Sequence, residues 1–122
     1  MIDVTIRNYI AAELSAIAEY ATVPVLMEQP KTVPSEYVLL RRIAGGRTNQ
    51  VDAVTFVIAA RSTTMYKAAA LIDTIKEILF DAIKLPAISA AKLGGERIAT
   101  DTANHAYQYE LTFNFFYYRE ES

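Results

Sequence analysis

Cysteine and tryptophan are absent from this sequence of 122 residues, and histidine occurs once. Without cysteine there is no disulfide framework, no thiolate metal site and no cysteine nucleophile, which is in keeping with a reducing cytoplasm. No apolar run reaches the ~20 residues of a membrane-spanning helix. The N-terminal residues lack the basic start of a signal peptide. We therefore expect a protein with no membrane partner.

Neither sign of charge dominates the chain. It has 12 Lys and Arg against 14 Asp and Glu, a net charge of −2, so the overall balance favours neither nucleic acid nor anionic lipid. We expect no sequence-specific binding of nucleic acid. A hydrophobic content of 52% is typical of a globular protein. The length fits one domain, and residues 1–122 are predicted to form it.

Two segments have the three- and four-residue spacing of apolar side chains that is typical of amphipathic helices. The first is residues 3–20, with Asp3 as its expected N-cap. Its apolar face is Ile6, Ile10, Leu14 and Ile17. The second is residues 63–84, with Ser62 as the expected cap and Thr63 as the alternative. Its buried stripe is Met65, Ala68 or Ala69, Ile72, Ile75, Leu79 and Ile83.

The remaining apolar segments are predicted to be strands. They are the short run Val25–Met27 and residues 36–43, 51–61, 88–98 and 105–118. The last alternates apolar and polar side chains until Phe116 and Tyr118 interrupt its polar face. Ala44 to Gln50 is predicted to be a projecting hairpin turn, and Gly94-Gly95 a bulge or a bend. The order α-β-β-β-α-β-β predicts an α+β fold, an antiparallel sheet of four to five strands with two helices packed on one face.

The strand at residues 51–61 is apolar on both faces. Val54, Phe56 and Ile58 occupy one face, and Val51, Thr55, Val57 and Ala59 the other. Two interpretations remain open at this stage. The strand is either central and buried on both faces, or it contributes its second face to a subunit interface.

No set of residues has the pattern of a catalytic or metal site. His105 could act as a base with Asp101 or Asp52, but a nucleophile with oriented support is missing, so an exposed histidine is the simpler interpretation. One histidine and scattered carboxylates do not form a metal site. Gly45-Gly46-Arg47 precedes a strand, whereas a phosphate loop precedes a helix. We expect no enzyme activity, no metal and no cofactor.

Three arginines lie close together in the sequence, at Arg41, Arg42 and Arg47. One interpretation is that they are solvated charges that prevent aberrant pairing of an edge strand. The other is that they contact an acidic surface on a partner.

The arginines belong to a longer stretch, residues 40–56, which contains Gly45-Gly46-Arg47-x-Asn49-x-x-Asp52 between two strands. This hairpin resembles that of the tail terminator and related neck proteins of long-tailed bacteriophages. The resemblance extends over nearly the whole chain. An N-terminal helix runs into a short strand, a proline-containing loop follows, and an alanine-rich helix and the closing strand complete it.

The resemblance implies a structural protein of the virion neck, assembled in the host cytoplasm. Terminators form rings, usually homohexamers, that cap the tail tube protein and meet a head-side connector protein, without catalysis or cofactor. Gly45, Gly46, Arg47, Asn49 and Asp52 would shape the hairpin, with Asn49 and Asp52 tying its turn. Together with Arg41 and Arg42, they form the expected subunit interface.

Three other functions remain open. The first is a sister neck protein, for head closure or tail completion. The second is a small-molecule-binding module on a ferredoxin-like frame. The third, an enzyme that uses His105, would need a supporting carboxylate.

Overall fold

The computed structural model describes residues 2–28, 36–48, 51–85, 88–98 and 107–118. Its elements are helix α1 (Ile2–Ser15), a 3-10 turn (Ala18–Tyr20), strands β1 (Val25–Leu26), β2 (Tyr37–Thr48) and β3 (Val51–Ser62), helix α2 (Met65–Phe80), a 3-10 turn (Asp81–Lys84), and strands β4 (Ile88–Ile98) and β5 (Tyr107–Tyr118). The predicted order of helices and strands, and with it the α+β class, is confirmed. No helix within these ranges has the length and apolar character needed to cross a membrane.

The five strands form one sheet in the order β1-β2-β3-β5-β4. Three of its pairings are antiparallel, but β1 runs parallel to β2, with Val25 opposite Val38. The prediction of a purely antiparallel sheet is therefore wrong at this edge. Parallel pairing needs a connection that returns the chain to the same end of the sheet. The connection from Leu26 to Tyr37 is far longer than a hairpin turn and allows that return.

Helix α1 buries three of the four residues that its spacing predicts, but it ends at Ser15, so the prediction that it continues to residue 20 and includes Ile17 is wrong. Ile6, Ile10 and Leu14 are fully buried, and Ile2 extends the same stripe by one turn. Because the helix already begins at Ile2, Asp3 lies in its first turn, and the prediction of Asp3 as the N-cap is wrong.

Helix α2 begins later than expected because β3 continues through Ser62, whose hydroxyl donates to Glu36 Oε2 over 2.6 Å. The cap is Thr64, whose Oγ1 accepts a hydrogen bond from the backbone N–H of Lys67 at 3.1 Å. Both predicted caps, Ser62 and Thr63, are wrong. The buried side chains of the helix are Ala68, Leu71, Ile72, Ile75, Ile78 and Leu79, whereas Met65 is 37% exposed and the side chain of Ile83 lies outside the described ones.

The core lies between the helices and one face of the sheet. Val54, Phe56 and Ile58 on β3 stand opposite Phe115, Phe113 and Leu111 on β5, and all six are buried. The rings of Phe113 and Phe115 stack with centroids 5.6 Å apart. Since β3 has neighbours on both sides, its interpretation as a central strand is confirmed for this face.

The hairpin between β2 and β3 is tighter than predicted. Gly45, Gly46 and Arg47 lie inside β2, where they pair with Val54, Ala53 and Asp52 of β3. The predicted turn from Ala44 to Gln50 is therefore wrong from Ala44 to Thr48, because cross-strand pairing continues through the glycines. Asn49 and its expected role in the turn lie outside the described residues. A register shift between Arg42 and Ala44 places a bulge at Ile43.

Strand β4 spans the predicted residues, and its register shifts between Leu93 and Gly95, which confirms the bulge at the two glycines. Strand β5 begins at Tyr107. The predicted turn at Asp101–Asn104 and the start of the last strand at His105 lie outside the described residues.

Candidate interaction surface

The sheet face opposite the helices is lined by small, polar and cationic side chains, and we call it the open face. Cross-strand register and alternation place the following described residues on it. They are Tyr37, Leu39, Arg41, Ala44 and Gly46 of β2, Ala53, Thr55, Val57, Ala59 and Arg61 of β3, Ala90, Lys92, Gly95 and Arg97 of β4, and Gln108, Glu110, Thr112, Asn114 and Phe116 of β5.

One end of the open face is apolar and closely packed. Tyr37, Leu39 and Ala59 are buried there against Leu26 of β1. The guanidinium of Arg61 lies over the Tyr37 ring, 5.8 Å from its centroid, and its Nη1 donates to the tyrosine Oη at 3.2 Å. The Nε of Arg61 is buried and has no hydrogen-bond partner within the described part of the chain. These contacts make this end of the face part of the structural framework.

The rest of the open face is polar, and its side chains bond across the strands. Thr55 Oγ1 donates to Asn114 Oδ1 over 2.6 Å. Lys92 on β4 lies over the ring of Phe116, with Nζ 5.6 Å from the centroid. The middle of the surface has no long side chain, because Val57 and Thr112 stand side by side there.

Positive charge dominates the open face, although the whole chain has a net charge of −2. Arg41, Lys92 and Arg97 are exposed on it. Its one described carboxylate, Glu110, is 7% exposed and accepts a hydrogen bond from Arg97 Nε at 2.7 Å. Two cations, Arg41 and Lys92, stand at opposite margins and face no described carboxylate.

The helix layer on the other side of the molecule has the opposite sign. In α1, α2 and the 3-10 turns that follow them, the charged side chains that the structure describes as exposed are the acids Glu13, Glu19, Asp73, Glu77 and Asp81 and the cation Lys67. Lys76 offsets only part of this negative charge. Its Nζ bonds Glu96 of β4 at 2.8 Å, which raises the lysine pKa, and the same Nζ lies 3.7 Å from Asp73 Oδ1. The pKa of Tyr9 is also raised, first by burial and then by the nearby charges of Glu13 and Asp81.

The predicted arginine cluster is divided between the two sides of the sheet. Arg41 projects from the open face, whereas Arg42 points to the helix side and forms an ion pair with Asp3 of α1. The side chain of Arg47 lies outside the described ones. The structure therefore separates Arg41 from Arg42, and a single patch containing both is not formed.

Within the described part of the chain, only β1 pairs with the outer edge of β2. Strand β1 covers only Val38 and Leu39, and the side chains from Arg41 to Gly46 are all exposed. We call residues 41–46 the exposed edge segment. It includes Ile43, an apolar side chain at the bulge that is 56% exposed. Of the other predicted interface residues, Gly45 and Gly46 lie in this segment and Asp52 lies across the hairpin from Arg47.

Sequence reasoning missed the separation of charge between the two sides of the molecule. The sequence feature that points to it lies in β4, where Lys92 has an even residue number and Arg97 an odd one. The bulge at Gly94 brings both to the same face, and a strict two-residue alternation would have separated them.

The described residues add no candidate for a metal site or for a catalytic site. Within the described ranges no three histidine, cysteine, aspartate or glutamate side chains are grouped to hold a metal ion. His105 lies outside those ranges, so its predicted surface position remains a prediction. No protein-family model matches the chain, and no curated protein matches it.

Proposed function

We propose that this chain is a structural assembly protein that acts as a tail terminator. In this role, copies form a ring, with a hexamer expected, that caps the tail tube and joins it to the head-side connector. The observation that carries the proposal is the exposed edge segment at residues 41–46. The same residues belong to the hairpin, residues 40–56, that resembles the terminator family.

An unpaired edge of this length favours contact with another chain. Strand β2 has twelve residues, and only two of them pair with β1 on its outer side. Monomeric proteins usually protect such an edge with charge, bulges or a covering loop. Here the bulge is present but exposes Ile43, and Arg42 is turned away into its ion pair with Asp3. The edge is therefore only partly protected, and it suits strand addition or packing by a partner.

A ring needs two different patches on each subunit, because its interface is heterologous. Each subunit binds the next one head to tail, in the same direction around the ring. The described chain offers unlike surfaces of this kind, the cationic open face and the acidic helix layer. A terminator also needs axial ends that differ, so that one binds the tube and the other does not accept a further tube ring. In our proposal the exposed edge segment supplies the contact along the axis.

The proposal is tested by purifying the protein and measuring its mass by light scattering, followed by negative-stain imaging with and without tail tube subunits. The tube subunits come from the tail tube gene that the proposal expects beside this one. We expect rings, and tubes that end at a ring and stop lengthening. A chain that stays monomeric at its highest soluble concentration, and leaves tube growth unchanged, contradicts the proposal.

The same preparation separates the alternatives. A head-closure protein would bind the connector and leave tubes uncapped, and a small-molecule-binding module would show a ligand-dependent rise in melting temperature without a change in mass. Genes for a portal, a major capsid protein and a tail tube next to this gene are the expected neighbourhood of a terminator.

A further inference from the structure

We propose that neighbouring copies in the ring dock front to back, with the open face of one copy on the helix layer of the next. This inference rests on the proposed self-assembly and names the surfaces that make the subunit contact. The two surfaces are opposite in charge, and they lie on opposite sides of one molecule. Each copy therefore presents both halves of the same interface.

The charges of the two surfaces are complementary. Arg41 and Lys92 are exposed on the open face, and neither has a described carboxylate beside it. On the helix layer Asp73 and Glu77 lie one turn apart on α2. Asp73 is 71% exposed at its side chain, although Lys76 Nζ lies 3.7 Å from its Oδ1. Opposite potentials across an interface fix its register and suppress wrong partners. Here they favour one orientation of the contact.

The dimensions of the open face also fit a helix. Arg41 stands on β2 and Lys92 on β4, three strand spacings apart, which is about 14 Å. An α-helix with its side chains is about 10–12 Å across. Between the two cations lie short side chains such as Val57 and Thr112. A helix such as α2 can therefore lie between Arg41 and Lys92.

Charge disfavours the symmetric alternatives. A contact between two open faces would place the exposed arginine and lysine side chains of two copies against each other. A contact between two helix layers would likewise oppose the acids of two copies. Like charges in apposition cost free energy at an interface. The front-to-back contact avoids both repulsions. It also joins each copy to the next in the same direction, as a closed ring requires.

The experiment is a charge exchange between the two surfaces. The face variant carries Arg41→Glu and Lys92→Glu, and the helix variant carries Asp73→Lys and Glu77→Lys. In each variant alone, the substituted side chains meet charges of their own sign on the other surface, so we expect association to weaken by about tenfold or more. In an equimolar mixture, each surface again meets its opposite, so we expect rings of alternating variants to form.

Glu28→Lys is the control, because this exposed residue follows β1 and belongs to neither surface. It should assemble like the wild type. Mass is measured by light scattering, ring formation by negative stain, and folding by circular dichroism. If the glutamate substitutions prevent folding, Arg41→Gln with Lys92→Gln replaces them and should still weaken association. Raising salt from about 0.05 M to about 0.5 M should weaken the wild-type contact, because the Debye length shrinks.

The outcomes separate this inference from the proposed function. Rings that persist in both single variants overturn the front-to-back contact and leave the assembly role standing. Loss of rings in both variants without rescue on mixing also overturns it, since the faces would then meet different partners. A wild-type protein that is monomeric under all conditions overturns both proposals. Binding of a labelled oligonucleotide that is lost only in the face variant, with rings intact, assigns the open face to nucleic acid.

Discussion

Arg97 on β4 donates a hydrogen bond from its Nε to the carboxylate of Glu110 on β5 over 2.7 Å. The two partners differ in burial, since the arginine side chain is 74% exposed and the glutamate side chain 9%. Gln108 donates a second bond to the same carboxylate at 3.0 Å. The pair therefore supports a nearly buried charge on the open face, and it connects the edge strand β4 to its neighbour.

Replacing Arg97 by alanine should lower the free energy of unfolding by about 1–2 kcal/mol, because the buried carboxylate loses a charge-assisted hydrogen bond. Urea denaturation measures the change. Lys92→Ala is the matched control, an exposed cation on the same strand with no carboxylate partner among the described residues, and it should cost less. A double-mutant cycle with Glu110→Gln should show coupling. Strictly additive effects would mean that the two side chains do not stabilise each other.

Arg41 and Arg42 are adjacent in sequence but should behave differently when each is mutated to alanine. Arg42→Ala removes the ion pair with Asp3, a partly exposed pair, so it should lower the free energy of unfolding by about 0.5–1 kcal/mol and leave ring formation unchanged. Arg41→Ala should leave stability within about 0.5 kcal/mol of the wild type and weaken association. Melting curves and light scattering separate the two effects. Weaker association in Arg42→Ala alone would contradict the assignment.

The helical part of the fold could be predicted from the sequence because apolar spacing on a helix is a local property. Ile6, Ile10 and Leu14 follow that spacing and are buried as expected. The parallel pairing of β1 could not be predicted in the same way. It depends on how the connection from Leu26 to Tyr37 returns along the sheet, which no local pattern encodes.

The candidate surface was harder to predict, because strand irregularities decide which side chains share a face. Arg41 and Arg42 were expected to act together, yet alternation in β2 places them on opposite sides of the sheet. The bulge in β4 has the reverse effect and brings Lys92 and Arg97 together. The net charge of the chain hides both effects, because the charges on the two sides of the molecule nearly cancel.

Thr64 should be the residue on which the start of α2 depends. Thr64→Ala removes the acceptor for the Lys67 N–H and should cost about 1 kcal/mol. Thr63→Ala is the control, since the neighbouring threonine is also exposed but makes no capping bond to α2. Thermal and urea unfolding of the two variants measure the difference. Equal losses would mean that either hydroxyl can cap the helix.

The two glycines of the β4 bulge should differ in their tolerance of a side chain. A Cβ on Gly94 would lie 3.2 Å from Asn114 Nδ2 and 3.3 Å from the Thr112 backbone oxygen, which cannot move aside easily. On Gly95 it would meet nothing within 4 Å. Gly94→Ala should therefore destabilise the protein by about 1 kcal/mol. Gly95→Ala should be neutral or slightly stabilising, because alanine reduces the freedom of the unfolded chain. Denaturant midpoints that fall equally would show that the bulge needs both glycines.

Tyr9 should make the protein less stable in alkaline solution. Burial, and then the charges of Glu13 and Asp81, raise its pKa above the ordinary value of 10.0. The unfolded chain therefore loses this proton at lower pH than the folded chain. The stability contributed by the neutral phenol is fully present below pH 10 and is lost as the pH rises through the folded pKa.

Tyr9→Phe should remove that part of the pH dependence, because phenylalanine has no proton to lose. The free energy of unfolding, measured at about pH 9 and about pH 11, should fall less in Tyr9→Phe than in the wild type. The phenolate absorbance of the wild type minus that of the variant gives the Tyr9 titration curve, and Glu13→Gln should move its midpoint to lower pH. Identical losses of stability in the wild type and Tyr9→Phe would show that the phenol has the same pKa in the folded and unfolded chains.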